Sequence, residues 1–216
     1  MGKLTKWLYP PYARCFCCGY PRLDDAGDHL CAACRTSLEK VRLGGALFFV
    51  QTIEKVYAPY RYESEARELV HCLKYTCVRD AAKLLGLTMA KSLQGEAFDG
   101  LVPVPLHIKR QQERGFNQAE LLAQEISLHT HIPVMDVLAR TRKTGQQAKL
   151  EKEKRLSNLD DAFSLTDTVK GLRVLLVDDV CTTGATAKAC AKVLLTAGAK
   201  SISLCVAAVT LKTDHH

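Results

Sequence analysis

The stretch VLLVDDVCTTGAT, residues 174–186, ends an apolar run in two carboxylates, Asp178 and Asp179. A small, hydroxyl-rich turn follows: Thr182, Thr183, Gly184 and Thr186 stand where the pattern changes from strand to helix. A helix N-terminus presents free backbone N–H groups and the positive end of its dipole, so it favours a phosphate. Gly184 lets the backbone approach such a ligand closely. Carboxylates repel that phosphate. They suit the vicinal hydroxyls of a sugar, or a divalent cation beside it. The combination asks for a ribose with a phosphate at one end. The alternative is an ordinary strand exit whose threonines cap a helix, but two adjacent acids on an otherwise apolar strand need a reason.

A second constellation is made of thiols. The chain has 10 cysteines, and Cys15, Cys18, Cys31 and Cys34 are spaced C-x2-C, twelve residues, C-x2-C. Two such hairpins can deliver four thiolates to one tetrahedral zinc ion. Four cysteine ligands leave no open coordination position, so the zinc is expected to be structural. Gly19, just after the first pair, suits a zinc-knuckle turn. Cys17 is left out, because pairing with Cys18 in place of Cys15 would strain the spacing. The alternatives are a disulfide pair or unrelated buried thiols. Cys72, Cys77, Cys190 and Cys205 read as packing residues.

These side chains must be carried by particular elements. Residues 1–45 read as a separate zinc-binding module with four cysteine ligands, rich in Cys, Pro, Gly and charge, and residues 46–216 as the main domain. A segment as short as the first needs metal to hold its fold. Aromatic and β-branched residues predict strands near 56–63. Helical periodicity over 64–75 places Ala66, Leu69, Val70 and Leu73 on one face, with Ser64 as N-cap. A second helix is predicted over 79–93, a short buried strand over 99–106, and a helix over 117–130 capped by Asn117. Residues 140–158 suit a mobile basic loop leading into a charged helix. A buried strand at 171–180, a helix at 183–199 and a strand at 201–210 complete a strand–helix–strand alternation, which predicts a parallel α/β sheet flanked by helices.

The 216 residues carry a formal charge of +7 and are 47% hydrophobic, enough for a real core. The charge permits nucleic-acid or phosphate ligands without demanding them. No apolar run reaches the roughly 18 residues of a membrane span. The first residues lack a secretion signal. A cytoplasmic protein with no membrane insertion is expected.

VLLVDDVCTTGAT resembles the phosphoribosyl pyrophosphate (PRPP) loop of type I phosphoribosyltransferases. The resemblance implies that Asp178 and Asp179 hold the ribose hydroxyls. Thr182, Thr183, Gly184, Ala185 and Thr186 would hold the 5-phosphate. Cys181 departs from the usual residue and is expected to be a filler. In LVPVPLHIKRQQERGFNQAELLA (101–123), Lys109, Arg110 and Arg114 lie in a predicted loop between strand and helix, where cations could neutralise a pyrophosphate. A solvated basic loop is the plainer alternative. Arg140, Arg142, Lys143, Gln147 and Arg155 could close over a phosphorylated substrate, or belong to an exposed linker. Lys74 could reach a phosphate or be a surface helix lysine, and His71 beside it is not easily dismissed. His107, His129 and His131 read as ordinary surface.

The stretches YRYESEARELVHCLKY, VPVPLHIKRQQERGFNQAELLA, RTRKTGQQAKLEKEKRLSNLDDAF and VLLVDDVCTTGAT, in this order, are similar to the ComF family. That resemblance covers nearly the whole chain. It implies a type I phosphoribosyltransferase-like parallel sheet flanked by helices, with a small N-terminal zinc-ribbon-like module. It also implies a role in DNA uptake, natural transformation or use of DNA as a nutrient. An enzyme of this type binds Mg-PRPP. Asp178 and Asp179 are its catalytic residues, stabilising the sugar, while Mg²⁺ and the basic loops stabilise the leaving pyrophosphate. The acceptor stays open: a base is one choice, ammonia another, and no segment resembles a glutamine-hydrolysing domain. The alternative is a non-catalytic single-stranded DNA-binding protein with a regulatory or vestigial PRPP site. Phe116, Trp7, Tyr9 and Tyr12 would be its stacking residues, and competence or recombination proteins its partners. Lys3, Lys6, Arg14, Arg22 and Arg35 could face such a partner.

Overall fold

The computed structural model describes residues 14–22, 28–44, 52–76, 78–106, 108–140 and 162–211. Strand β6 (Arg173–Cys181) lies inside the sheet, because Val174, Leu175, Leu176 and Val177 are fully buried and a parallel strand covered on both faces must be continuously apolar. It pairs in parallel with β7 (Ser201–Val209) on one side and β3 (Gly100–Pro103) on the other. Two short strands, β1 (Val56–Tyr57) and β2 (Tyr60–Arg61), both join the outer edge of β7. The register ends β3 at Pro103, opposite Val177, whereas β6 runs on beside β7 to Cys181. The acid pair therefore begins where the β3 neighbour stops.

Alternate residues of the strands feed two cores. Leu175, Val177, Cys205 and Ala207 face helices α2 (Ser64–Tyr75), α3 (Val78–Ser92) and α5 (Gln118–Thr130). Val174, Leu176, Leu204 and Val206 face α6 (Ala185–Thr196) and an antiparallel pair, β4 (Leu138–Arg140) with β5 (Phe163–Leu165). The expected apolar face of α2 is the buried one, with Cys72 added to it. Helices α3 and α5 approach closely at Gly86, where a Cβ would collide with Glu125.

Several boundaries differ from the expected ones. Ser64 does not cap α2: Glu63 is the N-cap, and Ser64, with φ of 44°, is already the first helical residue. The sharp exit from β2, closed by the Glu63 N–H on the Arg61 carbonyl at 2.8 Å, puts the hydroxyl out of position. Asn117 does cap α5, its Oδ1 accepting from the Ala119 N–H at 3.1 Å. The segment expected as a basic loop is a short helix, α4 (Ile108–Arg114). Arg140, expected in a mobile loop, ends strand β4, its guanidinium carbon 5.2 Å from the centre of the Phe163 ring. The rest of that expected loop, 141–158, lies outside the described residues, as do Cys77 and His107.

A further helix, α1 (Ala32–Lys40), forms within the cysteine-rich segment. Cys15, Leu30, Cys34, Leu38 and Val41 belong to the same apolar core as α2 and α3. The Leu43 N–H donates to the Pro59 carbonyl at 2.7 Å, and the Arg61 N–H donates to the Val41 carbonyl at 2.8 Å, fastening this segment to the sheet edge. Among the described residues no helix is long and apolar enough to cross a membrane.

Candidate functional site

Ligands of open α/β sheets bind beyond the carboxyl ends of the strands, and the acid pair occupies that end of β6. Asp178 Oδ1 accepts the Asp179 backbone N–H at 2.8 Å. Burial, reinforced by the adjacent Asp179 charge, raises the Asp178 carboxyl well above the usual carboxylate range. Asp179 has a different neighbour: its Oδ2 lies 2.7 Å from Lys74 Nζ, an ion pair whose side chains are only 16% and 22% exposed. Helix α2 thus supplies a cation to one acid, while the other is left to share its field.

Residues Thr182 to Thr186 curl over a small cavity of about 50 Å³ that Asp178 also lines. Gly184 has φ of 72° and is the N-cap of α6, a left-handed position that glycine takes without a Cβ clash. It offers no side chain to the first turn, and no acid stands there. The Ala185 N–H donates to Thr183 Oγ1 at 3.4 Å, and the next N–H groups of the first turn of α6 are left for an anion. Cys181 is 5% exposed, and its thiol is pushed up by burial and by the Asp178 charge, as suits a filler. All the loop residues named from sequence line this one cavity together with Asp178.

A larger cleft of about 820 Å³ lies between α2 and α4. Lys74 lines it and also reaches Asp179, so it stands between the cleft and the acid pair. Arg110 and Arg114 come from α4; the side chain of Lys109 is outside the described set. Arg114 is held in place: it donates to Gln118 Oε1 and to the Tyr75 hydroxyl, each at 3.0 Å. Tyr62, Arg67 and Tyr75 also line the cleft and were missed in the sequence. Arg67, His71 and Tyr75 recur at four-residue spacing opposite the apolar face of α2, a pattern that was legible there. Phe116 lines the cleft, whereas Trp7, Tyr9, Tyr12, Lys3 and Lys6 lie outside the described residues. His129 and His131 are exposed, as expected.

The four thiols of Cys15, Cys18, Cys31 and Cys34 lie within 4.8 Å of one another. Tetrahedral zinc with Zn–S bonds of about 2.3 Å sets sulfur atoms about 3.8 Å apart, and Cys18 Sγ to Cys31 Sγ is 3.8 Å. The donor set fits a structural metal. The first pair sits in a tight turn, where Gly19 has φ of 70° and donates its N–H to the Cys15 carbonyl at 2.9 Å. The second pair is on no hairpin. It opens helix α1, with Cys31 Sγ accepting from the Cys34 N–H at 3.5 Å. Burial opposes ionisation of Cys15, yet backbone N–H groups of Cys18, Cys31 and Cys17 bring its thiol down to about 7. Arg35 is engaged with Asp28 through Nε at 2.7 Å and with the Leu30 carbonyl. Cys17 is outside the cluster, its thiol facing the Glu65 carbonyl at 3.6 Å.

A parallel sheet covered by helices on both faces, with an acid pair and an anion-ready loop at the carboxyl end of an interior strand, defines a type I phosphoribosyltransferase-like fold. The phosphoribosyl transferase domain family matches residues 112–215. Competence protein F of Haemophilus influenzae is 37% identical over 136 residues, covering 61% of this chain and 56% of its own length. DNA utilization protein YhgH of Escherichia coli K12 is 35% identical over 151 residues, covering 66% of each chain. Competence protein ComFC of Bacillus subtilis is 38% identical over 104 residues, covering 48% of this chain and 41% of its own. The chain belongs to the ComF family. The matched segments span 56% and 66% of the first two relatives.

Proposed function

We propose that this protein binds Mg-PRPP and serves DNA uptake, natural transformation or use of DNA as a nutrient, inside the cell. The observation that carries the ligand is the juxtaposition of Asp178 and the Thr182–Thr186 loop around one cavity, with Lys74 on Asp179. The names of the relatives support the process.

On this proposal the free N–H groups of α6 and the threonine hydroxyls hold the 5-phosphate. Asp178 and Asp179 accept hydrogen bonds from the ribose hydroxyls. As the bond from C1 to pyrophosphate lengthens, positive charge grows on the sugar, and the fixed carboxylates stabilise it. Lys74, Arg110 and Arg114 face the charge that gathers on the leaving group, with Lys109 beside them in the chain. Magnesium, when bound, neutralises part of that charge and orients the pyrophosphate. Zinc at the four cysteines holds the N-terminal segment folded.

A second reading keeps the site but makes it regulatory or vestigial, with single-stranded DNA as the working ligand. The basic cleft and the +7 charge favour it. Calorimetric titration of Mg-PRPP into the wild type and into Asp178→Asn/Asp179→Asn separates the two. Binding that the double variant loses supports the first. A folded, zinc-loaded wild type that binds no PRPP, yet binds oligonucleotides with steep salt dependence, overturns it.

A further inference from the structure

Helix α2 is held at both ends by the cysteine segment. At its first turn Ser37, three residues after Cys34 on α1, donates its hydroxyl to Glu65 Oε2 at 2.6 Å. The Cys17 thiol donates to the Glu65 carbonyl at 3.6 Å. At the last turn the Cys72 thiol donates to the Phe16 carbonyl at 3.2 Å. Phe16 and Cys17 lie between Cys15 and Cys18 of the thiol cluster. Each half of the four-thiol set therefore holds α2, the turn through Phe16 and Cys17, and α1 through Ser37. Between these bonds Leu69 and Leu73 share a core with Cys15, Cys34 and Leu38.

The last turn of α2 is also the one that serves the acid pair. The Thr76 N–H donates to the Cys72 carbonyl at 3.1 Å and closes that turn. Lys74 stands inside it, and its Nζ meets Asp179 Oδ2 at 2.7 Å. Cys72 thus has its sulfur on the thiol turn and its carbonyl on the turn that carries Lys74. From Cys15 through Phe16, Cys72 and Lys74 to Asp179, every step is a chain segment, a hydrogen bond or an ion pair. Coupling travels through such contiguous contacts and rigid elements. An ion pair is lost once its atoms part beyond about 4 Å, so Lys74 and Asp179 respond to small shifts of the turn.

We infer that α2 couples the four-thiol site to the acid pair. Zinc on Cys15, Cys18, Cys31 and Cys34 fixes the first turn and the start of α1. These seat α2, and Lys74 is thereby set on Asp179. Phe16 and Cys72 act as positioning residues for Lys74. Coupling is reciprocal: whatever the metal adds to the Lys74–Asp179 pair, the pair adds to the affinity for the metal. Zinc occupancy then regulates the site of the proposed function. That consequence rests on the PRPP reading, whereas the coupling itself does not.

Zinc affinity of the full chain, measured by competition with a chromophoric chelator, tests this with no other ligand present. Lys74→Met is expected to bind zinc about five-fold or more weakly than the wild type. In Asp179→Asn, where the pair is already broken, adding Lys74→Met is expected to change zinc affinity by less than about two-fold. Cys72→Val removes the donor to the Phe16 carbonyl and keeps all four ligands; it is expected to make zinc affinity indifferent to Lys74→Met. Ile202→Val, which loosens the core on the other face of the sheet, controls for a general loss of stability and is expected to stay within about two-fold of the wild type. Equal zinc affinity in the wild type and Lys74→Met overturns the inference. So does a fall in Ile202→Val as large as that in Lys74→Met, or a Lys74 effect that survives Cys72→Val. Mg-PRPP titration of the same proteins keeps the two proposals apart: a wild type that binds no PRPP sinks the proposed function, while the zinc affinities still decide the coupling.

Discussion

Lys74 on α2 and Asp179 on β6, far apart in the chain, meet through a 2.7 Å ion pair at the carboxyl end of the sheet. The pair does two things. It keeps one of two adjacent carboxylates neutralised, and it places a cation between the acid pair and the basic cleft. Lys74→Met leaves both acids without that cation. With the pair shielded but not sealed from water, the expected loss is about 2 kcal/mol, between the values for exposed and buried pairs. Urea denaturation of Lys74→Met, Asp179→Asn and the double variant measures it. A coupling energy near zero would mean that the two groups do not interact in solution.

Asp178 gives a pH signature. Burial and the Asp179 charge raise its native pKa above an unfolded value of about 3.9. Between those two values the native state holds a proton that the unfolded chain has lost. Stability therefore falls as pH rises through that window, and the loss is complete above the raised pKa. Asp178→Asn removes the titrating group, so its stability should decline less than that of the wild type from acid to neutral pH. Urea midpoints for both proteins, taken across the pH range with zinc in excess, check this. Parallel curves would contradict it.

Metal removal should reach beyond the cysteines. Cys15, Cys34 and Leu38 are packed into the core that also contains Leu69 and Leu73. Chelation should therefore weaken the main body as well as melt α1. If the metal contributes about 3 kcal/mol, the melting midpoint falls by about 6–12 °C for a chain of this size. Cys18→Ser should match chelation. Cys17→Ser should retain about one zinc per chain. A metal assay beside the melting curves tests both, and zinc loss in Cys17→Ser would reassign the ligands.

Gly86→Ala sets two effects against each other. Alanine is the better helix former by about 1 kcal/mol. Its Cβ, however, would meet Glu125 across the α3–α5 contact, and overpacking of this kind costs about 1–3 kcal/mol. A net destabilisation of about 1 kcal/mol is expected by urea denaturation. A stabilised variant would show that α5 moves away freely.

Much of this architecture was legible because it is local. The run from Val174 to Val177 could only be a strand buried on both faces, and the α2 stripe could only be a helix face. Asn117 announced its helix by its own side-chain chemistry. What was missed lacked such signals. Helix α4 is seven residues, IKRQQER, with one apolar position. Strands β4 and β5 are three residues each, too short for alternation to register, and hold by pairing with each other. Helix α1 was hidden by its cysteines, whose spacing speaks of metal whatever backbone carries them.

By itself the sequence determined the long strands and helices of the main sheet, the acid pair before a glycine-containing turn, and the fourfold thiol spacing. Each depends on residues a few positions apart, where periodicity and backbone geometry act directly. The tertiary structure alone decided that Lys74 takes Asp179, that Arg114 lies over Tyr75, and that the cysteine segment shares a core with α2. Those contacts depend on how α2, α4 and β6 pack, and a one-dimensional pattern fixes which face of an element is buried but not which distant side chain it meets.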